Sequence, residues 1–308
     1  MANPALLAGD WGTTNLRVWR LDAEGAVLEA RQYPHLGVSR LAPAEAAQRF
    51  ASDIRPLMGA GLPAILCGMV GSTLGWAPAP YVETPVSLAD LARNLTVADA
   101  GGPVQIVPGV RGRGFGLGDV MRGEETQLFG WLSGHHTRSS GARLVCHPGT
   151  HAKWMRVEDG QLTAFATAMT GELYSVLGEH SVLKWQGHAT LGAAFDDGLE
   201  AAGDGGALSA RLFSARARVV AGGADEETTA SFVSGLLIGA EVAATPELIG
   251  ASAGEAVTVI GDPVLCELYT RAIERRGGRV EVVDGETAAV AGLFSLWRDS
   301  GRMRNTNC

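Results

Sequence analysis

Lysine is scarce in this sequence. Of the 25 Lys and Arg residues only Lys153 and Lys184 are lysines, and each is followed by Trp. A P-loop requires Gly-Lys-Ser or Gly-Lys-Thr, so a Walker-A nucleotide site is excluded. The 33 acidic residues outnumber the basic ones and give a formal net charge of -8, so no surface that binds polyanions is expected. Nucleic acid is therefore not an expected partner.

Paired cysteines and long apolar runs are also missing. The four cysteines lie far apart without a Cys-x-x-Cys pair, and three of them lie in apolar runs, which is typical of reduced, buried thiols. The N-terminus lacks the basic region of a signal peptide. The least polar stretch, residues 231–245, is short for a membrane span and contains Glu241. These features predict a cytoplasmic protein that does not enter a membrane.

Glycine, by contrast, is abundant and marks tight turns between regular elements. The chain has 42 glycines in 308 residues, about twice the average usage. Residues 5–33 alternate apolar runs with turn residues, which predicts three antiparallel strands. Residues 143–163 repeat this order, with Gly149-Thr150 in the place of Gly12-Thr13. Since strand lengths and turn residues agree together, we interpret this as an internal duplication that gives two similar domains, and not as a chance likeness of two meanders.

Several further elements follow from local patterns. Apolar spacing predicts a helix over residues 43–55, ending before Pro56, and another over residues 124–132. A G-x-G-x-x-A spacing at residues 59–64 precedes a strand instead of following one, so it indicates a turn and not a dinucleotide site. Asp262-Pro263 is typical of the start of a helix. The polar stretch 133–141 is predicted to be free of helix and to separate the domains.

The strongest chemical signal is the loop that follows the first predicted strand. A turn of Gly and hydroxyl residues presents N–H groups and hydroxyls to phosphate oxygens, and a carboxylate beside it can hold Mg²⁺. An ordinary hairpin is the alternative, but it rarely contains so many functional groups close to a buried strand. The loop therefore favours phosphoryl transfer. Its candidate residues are Asp10 for Mg²⁺, and Gly12, Thr13, Thr14 and Asn15 for phosphate.

The repeated loop is predicted to face the first across a cleft, so that the two hold one polyphosphate between them. Its candidate residues are Gly149, Thr150, His151 and Lys153. A zinc site at His147 and His151 is not favoured, because Pro148-Gly149 interrupts the helix that would align them. Gly235 and Gly239 form a G-x-x-x-G pattern that is more often a helix contact, although their small face could also form the floor of an adenosine pocket.

The chain resembles the actin-like ATPase superfamily, which includes hexokinases, and within it the 2-dehydro-3-deoxygalactonokinase family. The resemblance runs nearly end to end and rests most specifically on the runs at residues 120–127 (Val-Met-Arg-Gly-Glu-Glu-Thr-Gln) and 169–173 (Met-Thr-Gly-Glu-Leu). Residues 10–17, 67–72, 148–154 and 234–241 also match. It implies two duplicated ribonuclease-H-like α/β domains, residues 1–134 with 286–308 and residues 135–285, with ATP bound in the cleft between them.

The resemblance also implies an activity, the phosphorylation of 2-dehydro-3-deoxy-D-galactonate by ATP at its terminal 6-hydroxyl. A substrate with a carboxylate is best held by an arginine, and both Arg17 and Arg122 lie in matching runs. The base that takes the hydroxyl proton is expected to be Glu124, with Glu125 exposed or paired with an arginine. The implied nucleotide set adds Gly261 to the residues above, and the implied substrate set is Arg17, Met69, Gly71, Ser72, Glu125, Thr170 and Glu172.

Two alternatives to this activity stay open at the level of sequence. One is a kinase for another sugar or keto-deoxy sugar acid on the same fold, since no motif distinguishes epimers. The other is a sugar-sensing regulator without catalytic activity, but such regulators usually carry a DNA-binding module ahead of the first loop, which here begins at Gly9. The sequence leaves the oligomeric state open, including a homodimer.

Overall fold

The computed structural model describes residues 3–114, 116–134, 136–203, 207–252 and 254–306. The elements of the first half are β1 (Pro4–Trp11), β2 (Leu16–Asp22), β3 (Val27–Tyr33), α1 (Pro43–Arg49), α2 (Arg55–Met58), β4 (Ala64–Cys67), β5 (Tyr81–Glu83), α3 (Leu88–Arg93), β6 (Thr96–Asp99), β7 (Pro103–Ile106), β8 (Gly109–Gly114), β9 (Leu117–Met121) and α4 (Glu124–Ser133). Those of the second half are β10 (Ala142–His147), β11 (Ala152–Glu158), β12 (Gln161–Ala168), α5 (Thr170–His180), α6 (Ala193–Ala202), α7 (Leu208–Val220), α8 (Thr229–Ala244), β13 (Val257–Gly261), α9 (Pro263–Arg275), β14 (Val280–Asp284) and α10 (Gly285–Thr306).

Two sheets repeat one topology. The first has the order β3-β2-β1-β4-β7-β6, and the second has the order β12-β11-β10-β13-β14. In each, a three-strand antiparallel meander is followed by strands that pair in parallel, β1 with β4 and β10 with β13. The predicted duplication and the ribonuclease-H-like fold are therefore confirmed. We call β1–β9 with α1–α4 the N-terminal lobe, and β10–β14 with α5–α9 the C-terminal lobe.

The turns of the two meanders form for local reasons. At the β2–β3 turn, Asp22 Oδ1 accepts hydrogen bonds from the backbone N–H groups of Glu24 and Ala26, at 3.0 and 2.8 Å. At the β11–β12 turn, Asp159 has a φ of 48° and Gly160 a φ of 77°, a conformation that favours Asp, Asn and Gly. An aspartate thus stabilises each turn at which a meander reverses direction.

A third sheet, of order β5-β8-β9, connects the lobes. Two of its strands, β8 and β9, lie in a glycine-rich stretch of the sequence, and close packing requires glycine there: a Cβ on Gly112 would lie 2.8 Å from the ring of Phe165. Asp119 of β9 accepts hydrogen bonds from the backbone N–H of Thr167 at 2.8 Å and from its hydroxyl at 2.7 Å. These bonds join the third sheet to β12 of the C-terminal lobe.

The last helix, α10, returns to the N-terminal lobe. It lies against α4 and α3, and the contact with α4 requires glycine on both helices. A Cβ on Gly130 would lie 1.9 Å from the carbonyl oxygen of Ala288, and one on Gly292 would lie 2.0 Å from that of Thr126. Side chains of α4 and α10 also share one buried core with β10–β12, including Leu128, so the two lobes are joined by packed apolar surface.

Two predicted boundaries are wrong. The first predicted helix does not end at Pro56 but continues to Met58, because a π-helical turn over Phe50–Ile54 places Pro56 in the first turn of α2, where its missing N–H is not needed. The stretch 133–141 is not free of helix, since α4 includes Ser133 and a 3₁₀ helix spans His136–Ser139.

The apolar stretch 231–245 was expected to be too short for a membrane span, but within the described residues it belongs to a helical segment that is long and apolar enough to cross a membrane. The segment spans Glu226–Ile249, and an 18-residue window of it has a mean hydropathy of 1.5 and is 67% buried inside the protein. It packs closely on α6, where a Cβ on Gly198 would lie 2.1 Å from the carbonyl oxygen of Phe232. Such burial is what the core helix of a folded domain shows.

Candidate active site

Asp10 lies at the carboxyl end of β1, opposite Arg17 of β2 in the register of the hairpin. The Arg17 Nη2 is 2.7 Å from Asp10 Oδ2, and the two side chains are 28% and 16% exposed. The other carboxylate oxygen lies close to Gly68, since a Cβ there would lie 3.1 Å from Asp10 Oδ1 and 2.9 Å from the Trp11 carbonyl oxygen. Gly68 has a φ of 87°, a conformation that other residues rarely adopt. The carboxylate of Asp10 is the type of ligand that a hard cation prefers.

The tip of the first hairpin is held from one side by the segment Gly37–Ser39. The Gly12 N–H donates to the Asn15 carbonyl at 3.0 Å, which closes the tip. The backbone N–H groups of Val38 and Ser39 donate to the carbonyls of Gly12 and Thr13, at 3.1 and 3.2 Å. Thr13 and Thr14 are exposed. The tip is therefore a fixed loop whose hydroxyl residues are accessible to a ligand, as a phosphate-binding loop requires.

Glu124 begins α4 and faces the C-terminal lobe. Its Oε1 is 3.6 Å from Lys153 Nζ, and its Oε2 accepts from the backbone N–H of Arg122 at 3.1 Å. Burial raises the pKa of Glu124, but the charges of Lys153 and His147 outweigh it, and the pKa lies below its ordinary value. The side chain is 20% exposed. Glu124 is thus an ionised, accessible carboxylate at neutral pH.

The expectation that Glu125 is exposed or paired with an arginine is wrong. Glu125 is fully buried, and both its carboxylate oxygens accept from the Gly123 N–H, at 2.9 and 2.7 Å. Burial, together with the charge of Glu124, raises the pKa of Glu125 to about 7. The reason is that the first turn of α4 rests on the end of β4, so the face opposite Glu124 is interior. Its buried position does not present Glu125 to a substrate.

The second loop lies between β10 and β11 and approaches α4 of the N-terminal lobe. His147, at the end of β10, has its Nε2 3.0 Å from Gln127 Oε1 of α4. Burial lowers the pKa of His147, while the carboxylates of Glu124 and Asp10 act in the opposite direction. Lys153 is buried at the base of this loop, and its ammonium donates to the His151 carbonyl at 3.2 Å. The structure therefore brings Glu124 and Lys153 together from the two lobes, and it places Asp10 close enough to His147 to act on its pKa.

The start of α5 packs against the tip of the second loop. The Glu172 N–H donates to the Thr150 carbonyl at 2.9 Å, and the Glu172 carboxylate pairs with the His151 ring. A Cβ on Gly171 would lie 2.4 Å from the Gly149 carbonyl oxygen. Thr170 and Glu172, assigned to the substrate from the resemblance, consequently lie beside the second loop and not with Arg122. This placement follows from the fold, because α5 directly continues β12 in the C-terminal lobe.

Arg122 stands at the entrance to α4 with part of its guanidinium unpaired. Its Nη2 donates to the Ala79 carbonyl at 2.9 Å, and the guanidinium carbon lies 4.4 Å from the centre of the Tyr81 ring. The Nε and Nη1 atoms are buried without a hydrogen-bond partner. Gly71 leaves the space beside them, since a Cβ there would lie 2.9 Å from Nη1. Buried, unpaired guanidinium donors are costly and indicate a site for an anion.

The other predicted substrate residues cluster around Arg122. Met69 and Gly71 form a 3₁₀ turn directly after β4, and the Ser72 N–H donates to the Met69 carbonyl at 3.0 Å. The Ser72 hydroxyl accepts from the Leu74 N–H at 3.2 Å. Sequence reasoning missed Tyr81, because its contact with Arg122 joins positions far apart in the chain. It also considered His147 only as a zinc ligand, although the sequence places this residue directly before the second loop.

A pocket of about 190 Å³ lies beside the second loop, between α5, α8 and α9. Its wall includes Gly149, Thr170, Tyr174, Ser234, Leu265 and Tyr269. The adenosine-floor alternative for Gly235 and Gly239 is wrong, because both face α6: a Cβ on Gly235 would lie 2.1 Å from the Phe195 carbonyl oxygen. Gly261 ends β13 close to Pro148 of the second loop, and Asp262 caps α9 as predicted.

Among the residues that the structure describes, no group of three or more His, Cys, Asp or Glu side chains forms a metal site. Asp10 alone is not a complete cation site. A cation there would need oxygen ligands from phosphate and water, which is how Mg²⁺ is usually bound in enzymes that act on nucleotides.

The chain is similar over nearly its whole length to known proteins. The family model for 2-keto-3-deoxy-galactonokinase matches residues 10–296. A relative from Rhizobium meliloti (strain 1021), named "Probable 2-dehydro-3-deoxygalactonokinase DgoK1", is 37% identical, over 94% of this chain and 96% of its own length. The 2-dehydro-3-deoxygalactonokinase of Escherichia coli (strain K12) is 36% identical over the same shares. A crystal structure titled "Crystal structure of a putative 2-dehydro-3-deoxygalactonokinase protein from Sinorhizobium meliloti" is similar to this chain with a TM-score of 0.86 and 36% identity. The match covers 95% of this chain and 98% of that one.

Proposed function

The chain belongs to the 2-keto-3-deoxy-galactonokinase family, and from this premise we propose that it transfers the γ-phosphoryl group of ATP to the 6-hydroxyl of 2-dehydro-3-deoxy-D-galactonate. The observation that carries the proposal is the ion pair that joins the two lobes. Lys153 Nζ of one lobe lies 3.6 Å from the Glu124 carboxylate of the other, and Arg122, two residues before Glu124, has unpaired donors. These groups are what a kinase for an anionic alcohol needs.

In the proposed reaction the 6-hydroxyl oxygen attacks the γ-phosphorus, the bond to the β-phosphate oxygen breaks, and ADP leaves. Glu124 accepts the hydroxyl proton, since it is ionised and begins a helix directly behind Gly123. Lys153 donates to phosphate oxygens and offsets their charge. The hydroxyls and N–H groups at the tips of the two loops hold the polyphosphate, and Arg122 binds the substrate carboxylate.

The same proposal assigns Mg²⁺ to Asp10. The place of Asp10 near the carboxyl end of β1 and its hard oxygen ligands support this assignment. When bound, Mg²⁺ neutralises charge on the transferring phosphoryl group. The role of Arg17 on this view is to orient Asp10 through their ion pair, which leaves Arg122 as the better candidate for the substrate carboxylate.

The pocket beside the second loop supports a place for the nucleoside of ATP, with Gly149 at its edge and apolar side chains of α8 and α9 along its wall. We further propose that the chain divides into residues 1–134 with 286–308 and residues 135–285. A cytoplasmic location is proposed as well, since the thiols of Cys67, Cys146 and Cys266 are free and buried.

A coupled assay for ADP release tests the activity. The panel contains 2-dehydro-3-deoxy-D-galactonate, its gluconate-derived epimer, other keto-deoxy sugar acids and neutral hexoses. We expect the highest kcat/KM for the galactonate-derived acid and no turnover of hexoses, because a neutral sugar leaves Arg122 unpaired. A higher kcat/KM for another acid would redirect the proposal to that substrate, and turnover of none of them would contradict it.

Replacing Arg122 by Met should raise the KM for the sugar acid and leave ATP binding nearly unchanged. Truncating one partner of a buried charge pair costs about 2–5 kcal/mol, which corresponds to roughly a 30- to 4,000-fold effect. The measurement is steady-state kinetics with each substrate varied in turn. Arg111→Met is a matched control, since Arg111 makes an exposed pair with Glu83 in the neighbouring strands. A collapse of ATP affinity in Arg122→Met would instead assign Arg122 to the phosphates.

Cleft closure should be visible by small-angle scattering. The two loops belong to separate lobes that share a packed core around α4 and α10, so a rotation about this core would bring them together. We expect a smaller radius of gyration with ADP and the sugar acid together than with either ligand alone, because both lobes then contact bound ligands. An unchanged radius with both ligands at saturation would argue against closure.

A further inference from the structure

Glu241 of α8 is a buried carboxylate that the proposed reaction does not use. It is 5% exposed. Its Oε1 accepts from Trp154 Nε1 at 2.7 Å, and its Oε2 accepts from the Tyr269 hydroxyl at 2.8 Å. Burial raises the pKa of Glu241, and hydrogen bonds from Thr170, Trp154 and Tyr269 act against that rise. The carboxylate therefore accepts from side chains of two elements and lies close enough to Thr170, of a third element, for that residue to affect its pKa.

Two of these partners line the pocket beside the second loop. Thr170 begins α5 and Tyr269 lies on α9, and both contribute to the pocket wall together with Gly149. The third partner, Trp154, directly follows Lys153 in β11. A single buried side chain thus fixes the relative position of the pocket wall, the start of α5 and the strand that carries Lys153.

The energetics of this arrangement do not favour a role in stability alone. Burying a carboxylate has a large desolvation cost, which hydrogen bonds offset only in part, and an apolar group of similar size is often equally stable or more so. The carboxylate instead fixes the orientation of the side chains that donate to it, because each hydrogen bond holds its donor at a defined angle. Here two of the donors are the Thr170 and Tyr269 hydroxyls that border the pocket.

We propose that Glu241 is a positioning residue for the nucleotide, acting through Thr170 and Tyr269 on the nucleoside pocket and through Trp154 on the strand of Lys153. The inference rests on the proposed use of ATP. Loss of the shared acceptor leaves the hydroxyls of the pocket wall free to turn, so affinity for the nucleotide falls while the sugar-acid side, in the other lobe, is unaffected.

The test is titration calorimetry of ADP with Glu241→Gln, together with steady-state kinetics. We expect the Kd for ADP and the KM for ATP to rise about 10-fold, as for the loss of a hydrogen bond to a charged group. The KM for the sugar acid should be unchanged, and the loss in kcat at saturation of both substrates should be smaller than the loss in nucleotide affinity. Glu255→Gln is the matched control: it removes the carboxylate that Arg156, two residues after Trp154, contacts at 2.6 Å, in the same lobe but away from Thr170 and Tyr269. It should bind ADP like wild type.

If Glu241→Gln does not fold, the variants Tyr269→Phe and Thr170→Val provide the test in its place. Each removes one hydroxyl and should give part of the loss in ADP affinity. Wild-type affinity for ADP in a folded Glu241→Gln variant would overturn the inference. If that variant is unfolded, wild-type affinity for ADP in both Tyr269→Phe and Thr170→Val would overturn it. An equal loss of ADP affinity in Glu255→Gln, at equal thermal stability, would overturn it as well. A wild-type protein that binds no ADP would overturn the proposed function, and this inference with it.

Discussion

Replacing Asp10 by Asn is expected to lower kcat about 100- to 1,000-fold, the loss that follows removal of one preorganised group that stabilises transition-state charge. The substitution keeps the size of the side chain and its place opposite Arg17 but removes the negative charge. Affinity for ADP should lose its dependence on Mg²⁺, because the amide is a poor ligand for a hard cation. Steady-state kinetics and calorimetry of ADP with and without Mg²⁺ measure the two effects.

Asp53→Asn is the control for this experiment. Asp53 makes an exposed ion pair with Arg49 on the outside of the N-terminal lobe, and its loss should leave both kcat and the Mg²⁺ dependence unchanged. Thermal unfolding of Asp10→Asn checks that the fold is retained. A kcat close to that of wild type at saturating Mg²⁺ would remove Asp10 from the site.

The structure of the first hairpin and its loop was predictable because its signals are local. A buried strand, a carboxylate at its end and a turn of Gly and Thr occur within eight residues, and the fold places them as the sequence implies. The same holds for the cap at Asp262, whose side chain accepts from the N–H groups of Val264 and Leu265. Local hydrogen bonding and strand order determine these features, so one sequence is enough to predict them.

The features that were missed depend on which surfaces meet. Helical periodicity separates Glu124 from Glu125 by about 100°, but it does not tell which side rests on the end of β4. Gly235 and Gly239 lie on a helix that is buried all round, so its pattern cannot distinguish the face toward α6 from the face toward the pocket. The contact of Arg122 with Tyr81 requires the third sheet, in which Tyr81 lies on a strand of three residues, too short to show an alternating pattern.

The raised pKa of Glu125 predicts how the free energy of unfolding depends on pH. Its pKa is about 7 in the folded protein and near 4.5 in an unfolded chain, so the folded state binds its proton more tightly. The stability contributed by burying the protonated carboxyl is complete below about pH 4.5 and is lost as the pH rises through about 7. Glu125→Gln removes this dependence. Its free energy of unfolding, relative to wild type, should therefore rise between pH 5 and about pH 8, and a constant difference would contradict the assignment.

Replacing Glu124 by Gln should give the largest loss of activity in the chain, about 10²- to 10⁴-fold in kcat, because the proton acceptor is removed. Glu124 is the better candidate for the base on three grounds. It is partly exposed toward the cleft, it faces Lys153 at 3.6 Å, and its pKa lies below the ordinary value, so it is ionised throughout the neutral range. Glu125 has the opposite properties, since its carboxylate is buried and bound to the Gly123 N–H.

Comparison of the two Gln variants at saturating substrates decides between these carboxylates. The Glu125 variant keeps an oxygen acceptor for the Gly123 N–H, so the entry to α4 is preserved and kcat should fall only a few fold. The pH profile gives a second readout: kcat of wild type should decline only at acidic pH, below the ordinary range of a glutamate, whereas a base with a pKa of about 7 would place the decline near neutrality. A slower Glu125 variant, together with a decline near pH 7, would assign the base to Glu125. If both variants remain within a few fold of wild type, the proton acceptor does not lie on this helix.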